Sequence, residues 1–363
     1  MDFSIASILA LDGVTNGAVY ALLALATVLV FAVTRVIFIP QGEFVAYGAL
    51  TLAMLQMGKV PGTVWLLLGM ALLQSGKVPG TVWFLLIMAG ALAMADVLQG
   101  LRQRQPAARL GLQLLRTLGY PVAISLFAIW AAPRGWPLWA QAALTLALVT
   151  PFGTLIYRLA YERLADASVL VLLIVSVGVH FALVGLGLLF FGAEGFRNPS
   201  FWDQRFDLGP VGLTGQALII FVASLALIVA LYLFFERTLR GKALRATAVN
   251  RLGARLMGIS SAGAGRLSFT MAAFIGALSG LLIGPTTTVF YDSGFLIGLK
   301  GFVAAVFAGL SSYPLALVGA LGVGLLESFG SFWASAFKEV IVFASILPVL
   351  LWRSLRDPHS EEH

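Results

Sequence analysis

Apolar residues run along this chain in long blocks separated by short polar stretches, and the blocks recur almost from end to end. A helix that crosses a bilayer needs about 20 such residues. That ruler places spans near 17–38, 41–57, 80–99, 117–132, 138–157, 168–191, 213–235, 265–285, 295–310, 314–330 and 338–352. Polar and apolar residues do not alternate at period two inside the blocks, so helices are expected and the strands of an outer-membrane barrel are not. The pair 295–310 and 314–330, split by Ser311-Ser312-Tyr313-Pro314, has the length of two half-helices that do not cross fully. The expected fold is all-α: a single polytopic transmembrane helix bundle over 1–363, with about eight to eleven membrane segments, some of them re-entrant.

Composition agrees. Sixty per cent of the residues are hydrophobic, 11% are charged and the mean hydropathy is +0.96. A soluble domain carries about 25% charged residues, so too little polar surface exists here to face water. With no cysteine in the chain, disulfides, zinc–thiolate sites, iron–sulfur clusters and thiol catalysis are excluded. Met1-Asp2-Phe3 opens the sequence without a basic n-region or a small-residue cleavage site. A cleaved signal peptide is therefore not expected, and the first span inserts as it stands.

The net charge of +7 does not point to nucleic acid, because the basic residues sit in short loops between apolar spans, the pattern of cytoplasmic loops. Arg102, Arg104, Arg109 and Arg116 cluster in one loop, and Arg158 and Arg163 mark a second, shared with Glu162. The richest stretch holds Arg237, Arg240, Lys242, Arg245, Arg251, Arg255 and Arg266, with Glu236 its only acid; Arg353 and Arg356 follow the last span. Placing all of these on the cytoplasmic side is consistent with the span order. The charge-balanced 192–210 loop and the N-terminus then face outward, and the C-terminus faces inward.

Residues 55–72 and 73–90 form a tandem repeat in which 14 of 18 aligned positions match. Two copies are too few for a solenoid, so a local duplication is the simpler reading. Eighteen residues make five helical turns at 3.6 per turn, and such an insertion keeps a helix face in register. Pro61-Gly62 and Pro79-Gly80 are expected to break or cap helices.

No His-Glu-x-x-His, Gly-x-Ser-x-Gly, Walker A or dinucleotide-binding pattern is present, so neither a catalytic residue nor a metal site is assigned. Two of the three histidines, His359 and His363, lie in the polar tail; His180 is alone in an apolar span and is expected to face a helix or bond a carbonyl. Glu43 stands in Ile39-Pro40-Gln41-Gly42-Glu43-Phe44. An intramembrane acid points to function, while a carboxylate in a first helical turn also complements the helix dipole; both readings stay open. Lys300, Glu327, Lys338 and Glu339 are expected at the interface or snorkelling toward it. Gly276-Ala277-Leu278-Ser279-Gly280 is a GxxxG pattern, which permits close helix packing and also sliding.

Residues 236–266 are the most informative. Leu244, Ala248, Leu252 and Leu256 recur every four residues with arginines on other faces, which predicts a short amphipathic helix pair closed by Gly-Ile-Ser. A basic helix on anionic lipid is one reading. A docking element for a soluble partner is the other, and it is favoured because the segment exceeds what orientation requires.

These residues together resemble the permease subunits of ABC importers for branched-chain amino acids, specifically the LivH-like member of the permease pair. The resemblance rests on Asn16-Gly17-Ala18-Val19-Tyr20 and the following span, Gln41-Gly42-Glu43-Phe44-Val45, Leu172 to Val179, and above all Arg240 to Glu327, with Arg245-Ala246-Thr247-Ala248, Gly258-Ile259 and Gly298 to Phe307. It covers about two thirds of the chain. It implies that 236–266 is the coupling loop that meets two separate ATP-binding subunits, with Arg245, Ala246, Ala248, Asn250 and Gly258 at the contact; the family often has an acid near Asn250. The matched motifs also hold Gly42, Glu43, Ser176, Gly178 and Lys300, which become candidates for translocation or gating. Implied too are a second, LivM-like permease subunit, an extracytoplasmic amino-acid-binding protein, residence in the cell inner (plasma) membrane, and no cofactor in this chain, ATP being bound by its partners. Residues 58–135, which contain the duplication, depart from the family as an insertion. The alternatives are an autonomous secondary transporter or channel, for which few midplane charges are seen and no inverted repeat, and an intramembrane enzyme, for which catalytic pairs are missing.

Overall fold

The first apolar block folds as one long helix, α1 (Phe3–Thr34), in a computed structural model that describes residues 3–57, 80–102, 107–208, 211–310 and 312–356. The helix starts at Phe3, well before the expected boundary at 17. Its early polar positions are absorbed: Thr15 Oγ1 donates to the carbonyl of Leu11 at 2.8 Å. Gly13 and Gly17 lie against α12 (Tyr313–Trp333) so closely that a Cβ on Gly13 would stand 2.9 Å from the Leu325 Cα. Small residues thus bring two helix backbones into contact where lipid offers no hydrophobic drive for packing.

After α1 the chain does not turn straight into another full span. Arg35 takes a left-handed conformation (φ 60°), a short 3-10 turn covers Ile39–Gly42, and α2 (Glu43–Met57) follows with only 15 residues. Then come α3 (Gly80–Arg102), α4 (Ala107–Ala131) and α5 (Leu138–Ile156), the last extended by a π-helical turn over Tyr157–Tyr161. Most of the 55–90 duplication lies outside the described residues; α3 begins at the Gly of its second Pro-Gly.

Next are α6 (Val169–Phe191), α7 (Gly215–Arg237), the short pair α8 (Leu239–Val249) and α9 (Arg251–Leu256), and α10 (Ser261–Ile283). Among the described residues the all-α expectation holds apart from one small hairpin, β1 (Arg205–Leu208) with β2 (Val211–Thr214), paired antiparallel just before α7. The pair 295–310 and 314–330 resolves unequally. α11 (Ser293–Phe307) is a 15-residue helix, whereas α12 has 21 residues and the length to cross. The expected last span, 338–352, is instead two helices, α13 (Lys338–Ala344) and α14 (Ile346–Arg356). Pro348 carries no N–H to donate to Ala344, so the ladder breaks there.

Among the described residues, six helices are long and apolar enough to cross a membrane by length and composition. The apolar stretches of α1 and α10 are 89% and 67% buried inside the chain, against 22% and 11% for those of α6 and α7. α1 and α10 therefore form the centre and α6 and α7 the rim. The GxxxG of α10 presses on α2: a Cβ on Gly280 would lie 2.1 Å from the carbonyl of Val45. Chain direction separates two ends. The α8–α9 pair sits where α7 ends and α10 begins, and the hairpin and the 285–292 segment sit at the other end, where the Phe196–Val289 bridge joins that segment to the loop after α6.

Candidate functional site

Three sites emerge, one at mid-depth, one open to the hairpin end and one at the α8–α9 end. The mid-depth site follows from the break after α1. Because the chain returns partway before α2 begins, Glu43 at its first position is fully buried, and its Oε1 lies 3.0 Å from Nδ1 of His180. His180 is the twelfth residue of the 23 in α6. The pair therefore stands halfway along a spanning helix. His180 faces a neighbouring helix, as one of the two expectations had it, but its partner is a carboxylate and not a carbonyl. Its imidazole also packs on the rings of Phe295, at 4.8 Å, and Phe181, at 5.2 Å.

The surroundings of Glu43 are held firmly. Gln41 Nε2 donates to the carbonyl of Ala272 at 3.0 Å, and Tyr47 Oη donates to that of Leu183 at 2.8 Å. A Cβ on Gly42 would fall 1.8 Å from the carbonyl oxygen of Gly294 on α11, so only glycine fits there. The second oxygen of Glu43 is buried with no partner among the described residues. Of the other candidates on α6, Ser176 is buried and shares a 2.9 Å hydrogen bond with the hydroxyl of Tyr161. Gly178 lies on the open side of the helix, where a Cβ would meet nothing within 4 Å.

The second site centres on Lys300. The expectation that Lys300, Glu327, Lys338 and Glu339 snorkel at the interface is corrected for the first: Lys300 is 5% exposed and its Nζ lies 2.5 Å from Glu327 and 3.1 Å from Glu339. Glu327 also accepts from the hydroxyl of Tyr20 at 2.5 Å. The cause is tertiary. α13 folds back along α12 after the turn at 334–337 and delivers Glu339 to a lysine in the middle of α11. Charge buried among the helices is thus not confined to the mid-depth pair. The cluster forms part of the wall of a cavity of about 610 Å³, which also reaches Asp12 and Asn16 on α1 and Thr286 to Thr288.

The third site is the α8–α9 pair. Asn250 ends α8 and caps α9, its Oδ1 accepting from the N–H of Gly253 at 2.8 Å. Gly258 closes the pair with φ 81°, a conformation that suits glycine. The pair exists as expected, but its apolar stripe does not run through. Leu244 is buried and Ala248 packs beside it, whereas Leu252 and Leu256 are 68% and 80% exposed. The break at Asn250 resets the helical phase, which a four-residue count cannot see. Arg245, Ala246 and Asn250 share an outward groove with Val249 and Met257, while Ala248 faces inward. Arg245 pairs with Glu236. Two ties fix the pair to the segment that follows α5, Arg251 to the carbonyl of Ala165 at 2.8 Å and Arg255 to Asp166 at 2.8 Å, and Arg266 ties α10 to Glu162 of the same segment. The two basic loops that were placed on one side by charge do meet.

A bundle of apolar spanning helices with a buried ionic pair at mid-depth, a polar cavity at one end and a rigid helix pair at the other is a multi-pass membrane protein of the transport class. The comparison with known proteins sharpens this. The sequence profile for the branched-chain amino acid transport system permease component matches residues 107–350. The chain is 31% identical over 221 residues to the high-affinity branched-chain amino acid transport system permease protein BraD of Pseudomonas aeruginosa, covering 59% of this chain and 72% of that protein. It is 29% identical over 225 residues to the corresponding LivH of Escherichia coli K12, covering 60% and 73%. It is 25% identical over 192 residues to the probable LivH of Methanocaldococcus jannaschii, covering 51% and 61%. No solved structure matches it. The chain belongs to the family of branched-chain amino acid transport permeases and is LivH-like.

His180, Tyr20, Glu327 and Glu339 stand beside candidate residues and carry no functional assignment from sequence. A signal existed for His180, the lone ionisable side chain of its span. None existed for Tyr20, whose partner is 307 positions away.

Proposed function

We propose that this chain is the membrane-spanning permease subunit of an ABC importer for branched-chain amino acids in the cell inner membrane, supplying half of the translocation pathway. A second, LivM-like permease supplies the other half. Two ATP-binding subunits bind and hydrolyse ATP and dock on α8–α9, and an extracytoplasmic amino-acid-binding protein delivers solute at the hairpin end. This chain holds no ATPase site and needs no cofactor. Residues 236–266 act as the coupling loop; of the 58–135 segment read as an insertion, 58–106 precedes the family match and 107–135 falls within it.

The observation that carries the proposal is the outward surface of the α8–α9 pair. Leu239, Val249, Leu252, Leu256 and Met257 are each more than two thirds exposed at the charged end of the bundle, where an apolar patch marks a protein contact. The same pair is tied through Arg251 and Arg255 to the segment after α5, to which Arg266 also ties α10, so a push on it reaches the bundle's centre. Closure of the ATP-binding subunits would then move α8–α9 and switch the side on which the pathway opens. Gly42 and Glu43 at the start of α2, Ser176 and Gly178 on α6, and Lys300 on α11 line up as the parts that shift or gate.

The test is co-purification from native membranes. The wild-type chain is expected to bring down the ATP-binding subunits, and Leu252→Asp with Met257→Asp is expected to reduce their recovery by about tenfold or more. Unchanged recovery with the double variant contradicts docking there. The buried charges also suit an ion-coupled carrier; dependence of uptake on an ion gradient without ATP would favour that second reading.

A further inference from the structure

We propose that the cavity at the hairpin end binds a zwitterionic α-amino acid inside this chain, with its ammonium at Glu339 and its carboxylate at Lys338. This deepens the permease proposal and rests on it. The cavity opens at the end away from α8–α9, as its walls come from the first half of α1, the start of α7, the end of α10 and the α12–α13 turn. At about 610 Å³ it has room for a solute and its water.

Its charges are not paired off. Asp12, Glu327 and Glu339 face Lys300 and Lys338 in the wall, three acids against two bases. Glu327 is satisfied on both oxygens, by Lys300 and by Tyr20. Glu339 is not: Oε1 accepts from Lys300 at 3.1 Å, while Oε2 is buried with no donor among the described residues. The Glu339 side chain is nonetheless 32% exposed and lines the cavity, so a primary ammonium there meets a carboxylate in an acid-rich wall and supplies the missing positive charge. Lys338 Nζ stands 3.9 Å from Glu339, beyond hydrogen-bonding distance, and its side chain is 42% exposed. It can take the carboxylate of the same molecule. Ile283, Leu296 and Ile297 give the wall an apolar stretch, against which a branched side chain buries its surface.

The chain's lack of cysteine makes a direct test available. Thr287→Cys puts a thiol on the cavity wall, and Asp203→Cys puts one on the same end outside it. The full transporter, with all subunits, is reconstituted in vesicles, and the labelling rate by a membrane-impermeant maleimide is followed with L-leucine, 3-methylbutylamine or 4-methylpentanoate present. L-leucine at ten times its half-protecting concentration is expected to slow labelling at 287 by about tenfold, with no effect at 203. The two fragments, each lacking one charged group, are expected to protect far less. Glu339→Gln and, as an exposed second variant, Lys338→Gln are each expected to require about tenfold more leucine.

No protection at 287 in vesicles that still take up leucine with ATP overturns the cavity site and leaves the importer standing. Protection without ATP-driven uptake keeps the site and overturns the importer. Protection that neither variant weakens overturns the assignment of the two charged groups.

Discussion

At Gly42 the turn between α1 and α2 touches the backbone of α11, and two further glycines, Gly294 and Gly298, meet it there. The atoms a side chain would strike are backbone and cannot swing away. Gly42→Ala is expected to cost about 1–3 kcal/mol or more through overpacking, read as a lowered thermal midpoint of the detergent-purified protein. Gly178 is the contrast. Open space surrounds it, and alanine is the better helix former by about 1 kcal/mol, so Gly178→Ala should leave the midpoint unchanged or raise it. Equal losses at both sites would contradict the packing described. The Glu43–His180 pair admits a cycle. His180→Leu strands a buried carboxylate and is expected to cost about 3–5 kcal/mol. Adding Glu43→Leu should recover part of that loss, and a double variant worse than the single one by the full cost of Glu43→Leu would deny the coupling.

Among the elements, the short helices decide function and were the hardest to read. Long apolar helices declare themselves by composition, and the boundaries of α5, α6, α7 and α10 fall within a few residues of those expected. The bounds of α2 also fall within two residues of those expected, but its placement was not legible: nothing in residues 41–57 says that the helix begins beside the middle of α6. The helix pair at 236–266 was legible from its leucine spacing and arginines, yet its two halves present different faces because Asn250 interrupts them. That residue is the testable point. Asn250→Ala removes the cap of α9 at a cost of about 1 kcal/mol, too little to unfold the chain. It should loosen the link between the docked surface and the segment after α5. In the reconstituted importer, uptake per ATP hydrolysed is expected to fall while ATP hydrolysis continues. An unchanged ratio would mean that α9 does not transmit motion.

Seen whole, the molecule has a polar cavity at one end, a docking surface at the other and a buried ionic pair between them. The membrane class and the positive loops were readable because hydropathy and charge are properties of segments. The Lys300–Glu327–Glu339–Tyr20 cluster was not, because it joins α1, α11, α12 and α13 across the fold, and long-range pairing leaves no local trace. Solute recognition, energy input and the pathway are divided among separate subunits in this proposal, so transport belongs to the assembly. The decisive measurement is uptake of radiolabelled L-leucine into proteoliposomes, comparing this chain alone with this chain plus the second permease, the ATP-binding subunits and the binding protein. Uptake that appears only with the full set and only with ATP is the expected result. Leucine movement through the chain alone, down its gradient and without ATP, would contradict it.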